Sequence, residues 1–280
     1  MCEYNTKAIQ EIELNILDEI DRLCKEYGII YFASGGTFLG AVRHKGFIPW
    51  DNDIDLGMFR DEYERFIQVA EEHLNGQFEI HTYRNNKSHH YYMAHVVDKR
   101  YSVKRLGSKD QRIENVWVDI FPYDALPNNP IRRCIHYSYL TFCRAMFHLA
   151  YFETVDVKRK DRSRIDKIAI GLCKYLSVVV HPDKIKWREK IDELLKRYSI
   201  KKSDYIVNFI GIKRRKEIFP QKFFADLIQY EFEGRTILGP KDYDRILSQL
   251  YGDYWSPPKD KNKGVHPIEL VGDYAVHGNK

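Results

Sequence analysis

Asp53–Ile54–Asp55–Leu56 sets two carboxylates alternately with two large apolar residues, and few folded arrangements tolerate that. On a strand, residues two apart share a face. Asp53 and Asp55 then project together while Ile54 and Leu56 anchor in a core. Adjacent carboxylates repel one another, and an oxygen-only donor set suits a hard divalent cation, Mg2+ or Mn2+. Upstream, the apolar run Gly28–Ile29–Ile30–Tyr31–Phe32–Ala33 reads as a strand entering a tight turn at Gly35–Gly36. A helix pattern follows from Thr37 to Lys45 and stops at Gly46. A glycine pair lets backbone N–H groups and a helix N-terminus approach an anion closely. Met singly, Gly-Gly is a turn and Asp-x-Asp a solvated loop. In this order, with the aspartates framed by apolar residues, they point to phosphate held with a divalent metal.

The second informative segment is Asn115–Val116–Trp117–Val118–Asp119–Ile120–Phe121–Pro122. Its lone carboxylate is expensive to bury unless paired, so Asp119 calls for a partner, and by the residues alone that partner is a nearby Lys or Arg. Arg43 and Lys45 suit contacts to phosphate or leaving group, with Arg the better bidentate partner. They equally suit the helix C-terminus. Asp51 shares the parity of Asp53 and Asp55 but sits beside Pro49 and Trp50, which places it just outside the metal shell. Asn52 has the opposite parity and receives no metal role.

The rest of the chain supports that centre. Ile9, Ile12, Ile16, Ile20 and Leu23 mark an opening helix over 8–27, read as plain core. Asp61 with Glu64 resembles a capping box, ahead of a helix face of Tyr63, Phe66, Ile67, Ala70 and Leu74. Residues 78–83 and 91–103 read as strands, joined by an exposed turn in which His89–His90 is solvated. Residues 131–155 and 163–200 are helical in pattern. Within them the apolar stretch 168–180 follows Arg159, Lys160, Arg162, Arg164 and Lys167. It either lies on an anionic membrane face or forms a buried helix. Pro240 is placed to open a helix bearing Tyr243, Ile246, Leu247 and Leu250, closed by Gly252. The expected division is a catalytic core over 1–128, a helical accessory region over 129–202 and a C-terminal segment over 203–280 that packs back on the core.

Composition narrows the function classes. With 280 residues, 44% of them hydrophobic, the chain can bury a full core. A formal charge of +5 is compatible with anionic substrates or a membrane surface, and no nucleic-acid motif accompanies it. The five scattered cysteines lack metal-ligand spacing and read as reduced thiols. No signal-peptide pattern is visible, and no apolar stretch reaches the roughly 18 to 20 residues of a bilayer span. The expected location is cytoplasmic, with peripheral contact at the inner membrane face.

The order small–Gly–Gly, helix, Asp-apolar-Asp-apolar resembles the nucleotidyltransferase superfamily. The longer string Gly35 to Asp55 is similar to the LicD family of bacterial phosphocholine transferases, which is related to fukutin-type ribitol-phosphate transferases. Val118–Asp119–Ile120–Phe121–Pro122–Tyr123–Asp124 resembles the same family. So does Tyr251–Gly252–Asp253–Tyr254–Trp255–Ser256–Pro257–Pro258 followed by His266, although Trp255 stands where a smaller apolar residue is commoner. The resemblance implies an α+β fold: a nucleotidyltransferase-like mixed sheet flanked by helices, with a helical accessory region. It places Asp119 with Asp53 and Asp55 in one catalytic metal site, with Asp119 also the candidate base. Gly35, Gly36, Thr37, Arg43, Lys45, Asp51 and His266 become substrate contacts. It further implies a CDP-alcohol donor, a glycan or lipid-linked glycan hydroxyl as acceptor, and CMP release. Nucleotide transfer with pyrophosphate release is the alternative on the same residues. An idle scaffold is the third reading, against which the intact carboxylates and glycine pair count.

Overall fold

The computed structural model describes residues 3–86, 88–89, 91–105, 113–150, 183–257 and 268–271. Its elements run α1 (Glu3–Tyr27), β1 (Phe32–Ala33), α2 (Gly35–His44), β2 (Asp55–Phe59), α3 (Arg60–His73), β3 (Phe78–His81), β4 (Ala94–Arg105) and β5 (Ile113–Leu126). There follow α4 (Pro130–Ala150), α5 (Lys184–Leu195), β6 (Tyr205–Val207), β7 (Ile218–Pro220), β8 (Leu227–Phe232), β9 (Arg235–Pro240), α6 (Tyr243–Tyr251) and β10 (Ile268–Val271).

The main sheet has the order β1-β2-β5-β4-β10, with β3 also on β4. The second half of β5 continues into β6 and then β7. Among the described residues only β2 and β5 pair in parallel; the other pairings of this sheet are antiparallel. This is the expected α+β architecture with a mixed sheet. The apolar stripe of α1 is fully buried against it. Hydrophobic transfer contributes about 1.5–3 kcal/mol for each such isoleucine or leucine. A second core joins Leu126 and Val207 of the sheet to Tyr137, Leu140 and Cys143 of α4 and Ile191, Leu194 and Leu195 of α5.

A buried ion network joins the two cores. The Arg60 guanidinium donates to both oxygens of Asp124 at 2.6 and 2.7 Å, and to Glu64 and Asp192 at 3.1 and 3.3 Å. Arg84 and Lys196 close it from the solvent side, each pairing with Glu64 and Asp192. This network corrects the expected capping box. Helix α3 begins at Arg60 with Phe59 as its N-cap, so Asp61 is already helical and Glu64 is drawn to cations instead.

Three other expectations shift. Gly35 and Gly36 form the first turn of α2 behind Ser34, rather than a turn ahead of it. At the other end Lys45, not Gly46, adopts the left-handed conformation, with φ 57°. Gly46 is needed elsewhere, because a Cβ there would strike the Glu233 side chain. That carboxylate accepts the Phe47 N–H at 3.0 Å, and the Glu233 N–H donates to the Lys45 carbonyl at 2.9 Å. The β8–β9 hairpin thereby clasps the end of α2. Pro240 closes β9, and Asp242 rather than proline precedes α6.

The basic and apolar stretches over 159–180, together with His90 and His266, lie outside the described residues. No helix among the described residues is long and apolar enough to cross a membrane.

Candidate active site

Parallel pairing puts Asp55, the first residue of β2, directly beside Asp119 of β5. The Asp119 N–H donates to the Ile54 carbonyl at 2.9 Å and fixes that register. Asp53 stands two residues before Asp55, while Ile54 and Leu56 are fully buried on the other side. One oxygen from each of Asp53, Asp55 and Asp119 falls within a span of 4.8 Å. The alternation that opens the sequence argument therefore produces a converging carboxylate cluster.

Helix α2 is tied to this cluster by its first turn. The Thr37 hydroxyl accepts the Asp55 N–H at 2.7 Å, and the Ser34 N–H donates to the Asp55 carbonyl at 3.0 Å. Gly35, at φ 49°, is glycine for two reasons: the positive φ, and a Cβ that would sit 2.6 Å from Asp55 Oδ2. At Gly36 a Cβ would lie 2.7 Å from Asp51 Oδ2, and its backbone N–H bonds the Asp55 carboxylate. The helix N-terminus thus faces negative charge, as its dipole favours.

Burial and crowding leave these acids short of positive charge. Burial, then the neighbouring Asp53, push Asp51 up to about 10. Asp55 is raised well above the carboxylate range by burial and by the charges of Asp53 and Asp119. An oxygen-only cluster in that condition fits a hard divalent cation. Asp53, Asp55 and Asp119 are the residues that would hold it.

Several members were missed in the sequence. Glu13 of α1 is buried with Oε2 unpartnered, and burial followed by the charges of Asp53 and Asp119 raises its pKa well above the usual range. Three residues before it, Gln10 donates to the Asp51 carbonyl at 2.7 Å. The signal was present: position 13 falls on the stripe of Ile9, Ile16 and Ile20, where a carboxylate does not belong. Tyr123, four residues beyond Asp119, has its hydroxyl 2.8 Å from that of Ser34. Glu217, pushed up to about 7 by burial, adds its charge to the field at Asp55; nothing in its polar surroundings marks it in the sequence. His89, expected to be solvated, is instead buried with Nε2 2.8 Å from the Met93 carbonyl.

The expected residues divide by location. Gly35, Gly36, Thr37 and Asp51 surround the three aspartates. Arg43 and Lys45 occupy the other end of α2, where Arg43 donates to the Tyr254 carbonyl at 2.6 Å and Lys45 pairs with Glu231 at 3.0 Å.

Residues 28–158 match the family model described as LicD/FKTN/FKRP, nucleotidyltransferase domain. The lipopolysaccharide cholinephosphotransferase LicD of Haemophilus influenzae is 32% identical over 272 residues, covering 96% of this chain and 98% of that protein. The chain belongs to the LicD family. Shorter matches join it to the ribitol 5-phosphate transferase FKRP of Homo sapiens, 49% identical over 35 residues, which are 12% of this chain and 7% of that protein. The ribitol-5-phosphate transferase FKTN of Mus musculus is 41% identical over 46 residues, 16% of this chain and 10% of its own.

The acidic cluster gives this LicD-family protein a pH signature. Asp51 and Asp55 have folded pKa values raised above their unfolded ones, so the stability they contribute is lost as pH rises toward the folded values. Glu64, lowered to about 2, and Asp192, also lowered, change only in acid. His89, lowered to about 3, changes only below its unfolded value near 6.5. Between pH 7 and 9 these aspartates, together with Glu13, which is raised in the same direction, decide the sign. Metal-free protein is expected to lose about 1.4 kcal/mol per pH unit for each proton held only in the folded state. Urea midpoints in EDTA check this, and Asp51→Asn should flatten the slope. An unchanged slope in that variant would remove Asp51 from the argument.

Proposed function

We propose that this LicD-like phosphotransferase moves a phospho-alcohol of the phosphocholine type from a CDP-activated donor to a hydroxyl of a cell-surface or lipid-linked glycan, releasing CMP. The observation that carries the reading is Asp53, Asp55 and Asp119 converging beside a glycine-started helix, in a chain similar over nearly its whole length to a lipopolysaccharide cholinephosphotransferase.

Asp53, Asp55 and Asp119 would hold Mg2+ or Mn2+, which when bound neutralises charge on the transferring phosphoryl and leaving groups. Thr37 and Ser34 fix the backbone of Asp55. Gly35 and Gly36 make room for the Asp55 and Asp51 carboxylates at the N-terminus of α2, which sets the positive end of the helix beside the phosphate groups. Asp119 is the proposed acceptor of the hydroxyl proton. The acceptor oxygen forms a bond to the phosphorus bearing the alcohol, and the bond from that phosphorus to CMP breaks.

The nucleotidyltransferase description of the matched domain favours a second reading on the same residues, nucleotide transfer with pyrophosphate release. Product analysis separates the two. With Mg2+ or Mn2+, CMP is expected from at least one member of a CDP-alcohol panel, rising when a glycan acceptor is supplied. On the reading that the basic-aromatic region around residues 159–180 brings the enzyme to the inner membrane face, acceptor in anionic vesicles should be used best at low salt. No CMP from the whole panel, alongside pyrophosphate from CTP and a phospho-alcohol, would favour nucleotide transfer.

A further inference from the structure

The row that holds Asp55 and Asp119 continues past the acidic cluster. Strand β4 sets His95 opposite Asp119, and β3 sets His81 opposite His95. Directly paired residues share a face of the sheet, so Asp55, Asp119, His95 and His81 form one line across four strands. His95 Nε2 lies 2.8 Å from Asp119 Oδ1. Both atoms are closed to solvent and neither has any other hydrogen-bond partner among the described residues. The contact is close without being aligned as a full hydrogen bond, which a small turn of either group would achieve.

The imidazole is held in place by its neighbours. Its ring stacks on Trp117 at 5.5 Å and 11°, and lies 4.6 Å from the rings of Tyr91 and His89. His89 is itself anchored at the Met93 carbonyl. Phenylalanine would satisfy that aromatic slot as packing. Histidine brings in a buried polar nitrogen, and such groups are rarely left without a partner. The partner within reach is the carboxylate of Asp119.

We propose that His95 is a positioning residue for Asp119: its Nε2–H holds Oδ1 and leaves the second carboxylate oxygen for a divalent cation. The inference rests on the reading of the acidic cluster as a cation site. Partners that orient metal-binding side chains typically govern metal affinity by about 10- to 100-fold. The line of residues gives His95 that place without making it a ligand.

The test is Mn2+ titration of the metal-free protein, followed by electron paramagnetic resonance. His95→Phe keeps the ring and removes the donor, whereas His95→Gln restores an amide donor. With native near-ultraviolet circular dichroism in each case, Mn2+ affinity is expected to fall about 10- to 100-fold in His95→Phe and to recover in large part in His95→Gln. Affinity in His95→Phe within threefold of wild type would overturn the proposal. Equal weakening in both variants would also overturn it, since packing rather than the donor would then be at work. Wild-type protein that binds no Mn2+ would overturn the cation-site reading together with this one. Should His95→Phe not fold, nitrogen-15 spectra of the wild-type imidazoles decide the matter. A ring protonated at Nε2 is expected, and a bare Nε2 would overturn the assignment.

Discussion

Replacing any one of Asp53, Asp55 and Asp119 by Asn is expected to cut turnover by about 10^3-fold or more while leaving the circular-dichroism spectrum native. A cation-held phosphoryl group gains several kcal/mol of charge stabilisation in the transition state, and each 1.4 kcal/mol is worth tenfold in rate. The variants should differ from ordinary core mutants in stability too. Asp55 is raised by burial and by the charges of Asp53 and Asp119. Asn is neutral there without having to take up a proton, so the metal-free Asp55→Asn variant should melt no lower than wild type. Wild type, in turn, should gain about 2.7 kcal/mol from Mn2+ at 100 times its dissociation constant, and the variants should lose that gain. Wild-type turnover in any one variant would strip that residue of its role. A large drop in melting temperature would instead make the aspartate structural.

What could be read from the sequence follows the range of the interactions concerned. Asp53 and Asp55 were legible because alternation is local: Ile54 and Leu56 bury one side and leave the carboxylates on the other. Asp119 was legible because a lone charge in an apolar strand requires an explanation. The joining of all three depends on the parallel register of β2 and β5, which the residues alone did not specify and the family resemblance supplied. Glu13 was overlooked because the isoleucines of α1 dominate its periodicity. His89 and His95 were overlooked for a different reason. The polar partner of His95 lies on β5, and nothing in its immediate neighbours tells which strand will come to lie beside it, while His89 folds back on the Met93 carbonyl from a segment whose polar composition reads as an exposed turn. The glycine pair reads as a turn ahead of the helix and is its first turn instead, since glycine signals permitted geometry and not helix position.

The Arg60–Asp124 pair carries the second large effect, on folding and not on chemistry. Arg60 and Asp124 are 7% and 0% exposed, so both charges have left water, and burial alone would disfavour each of them. What offsets that cost is the fork of the guanidinium on both oxygens of Asp124 at 2.6 and 2.7 Å, with Glu64 and Asp192 completing the shell. Removing one partner of such a pair strands the other and typically costs about 3–5 kcal/mol. For a chain of this size that corresponds to a fall in melting temperature of roughly 10 °C. Arg60→Ala and Asp124→Ala are therefore each expected to lower the urea midpoint strongly. Arg60→Lys should fall between, because it keeps the charge and loses the fork. The double variant Arg60→Met with Asp124→Leu should cost much less than the sum of the single alanine variants, since it removes both charges and leaves apolar volume behind. Below their melting temperatures these proteins should keep near-normal Mn2+ affinity, because the pair lies outside the cluster of Asp53, Asp55 and Asp119. A single alanine variant losing less than about 1 kcal/mol would behave like an exposed pair, and the network would then not be what fastens α5 to the sheet.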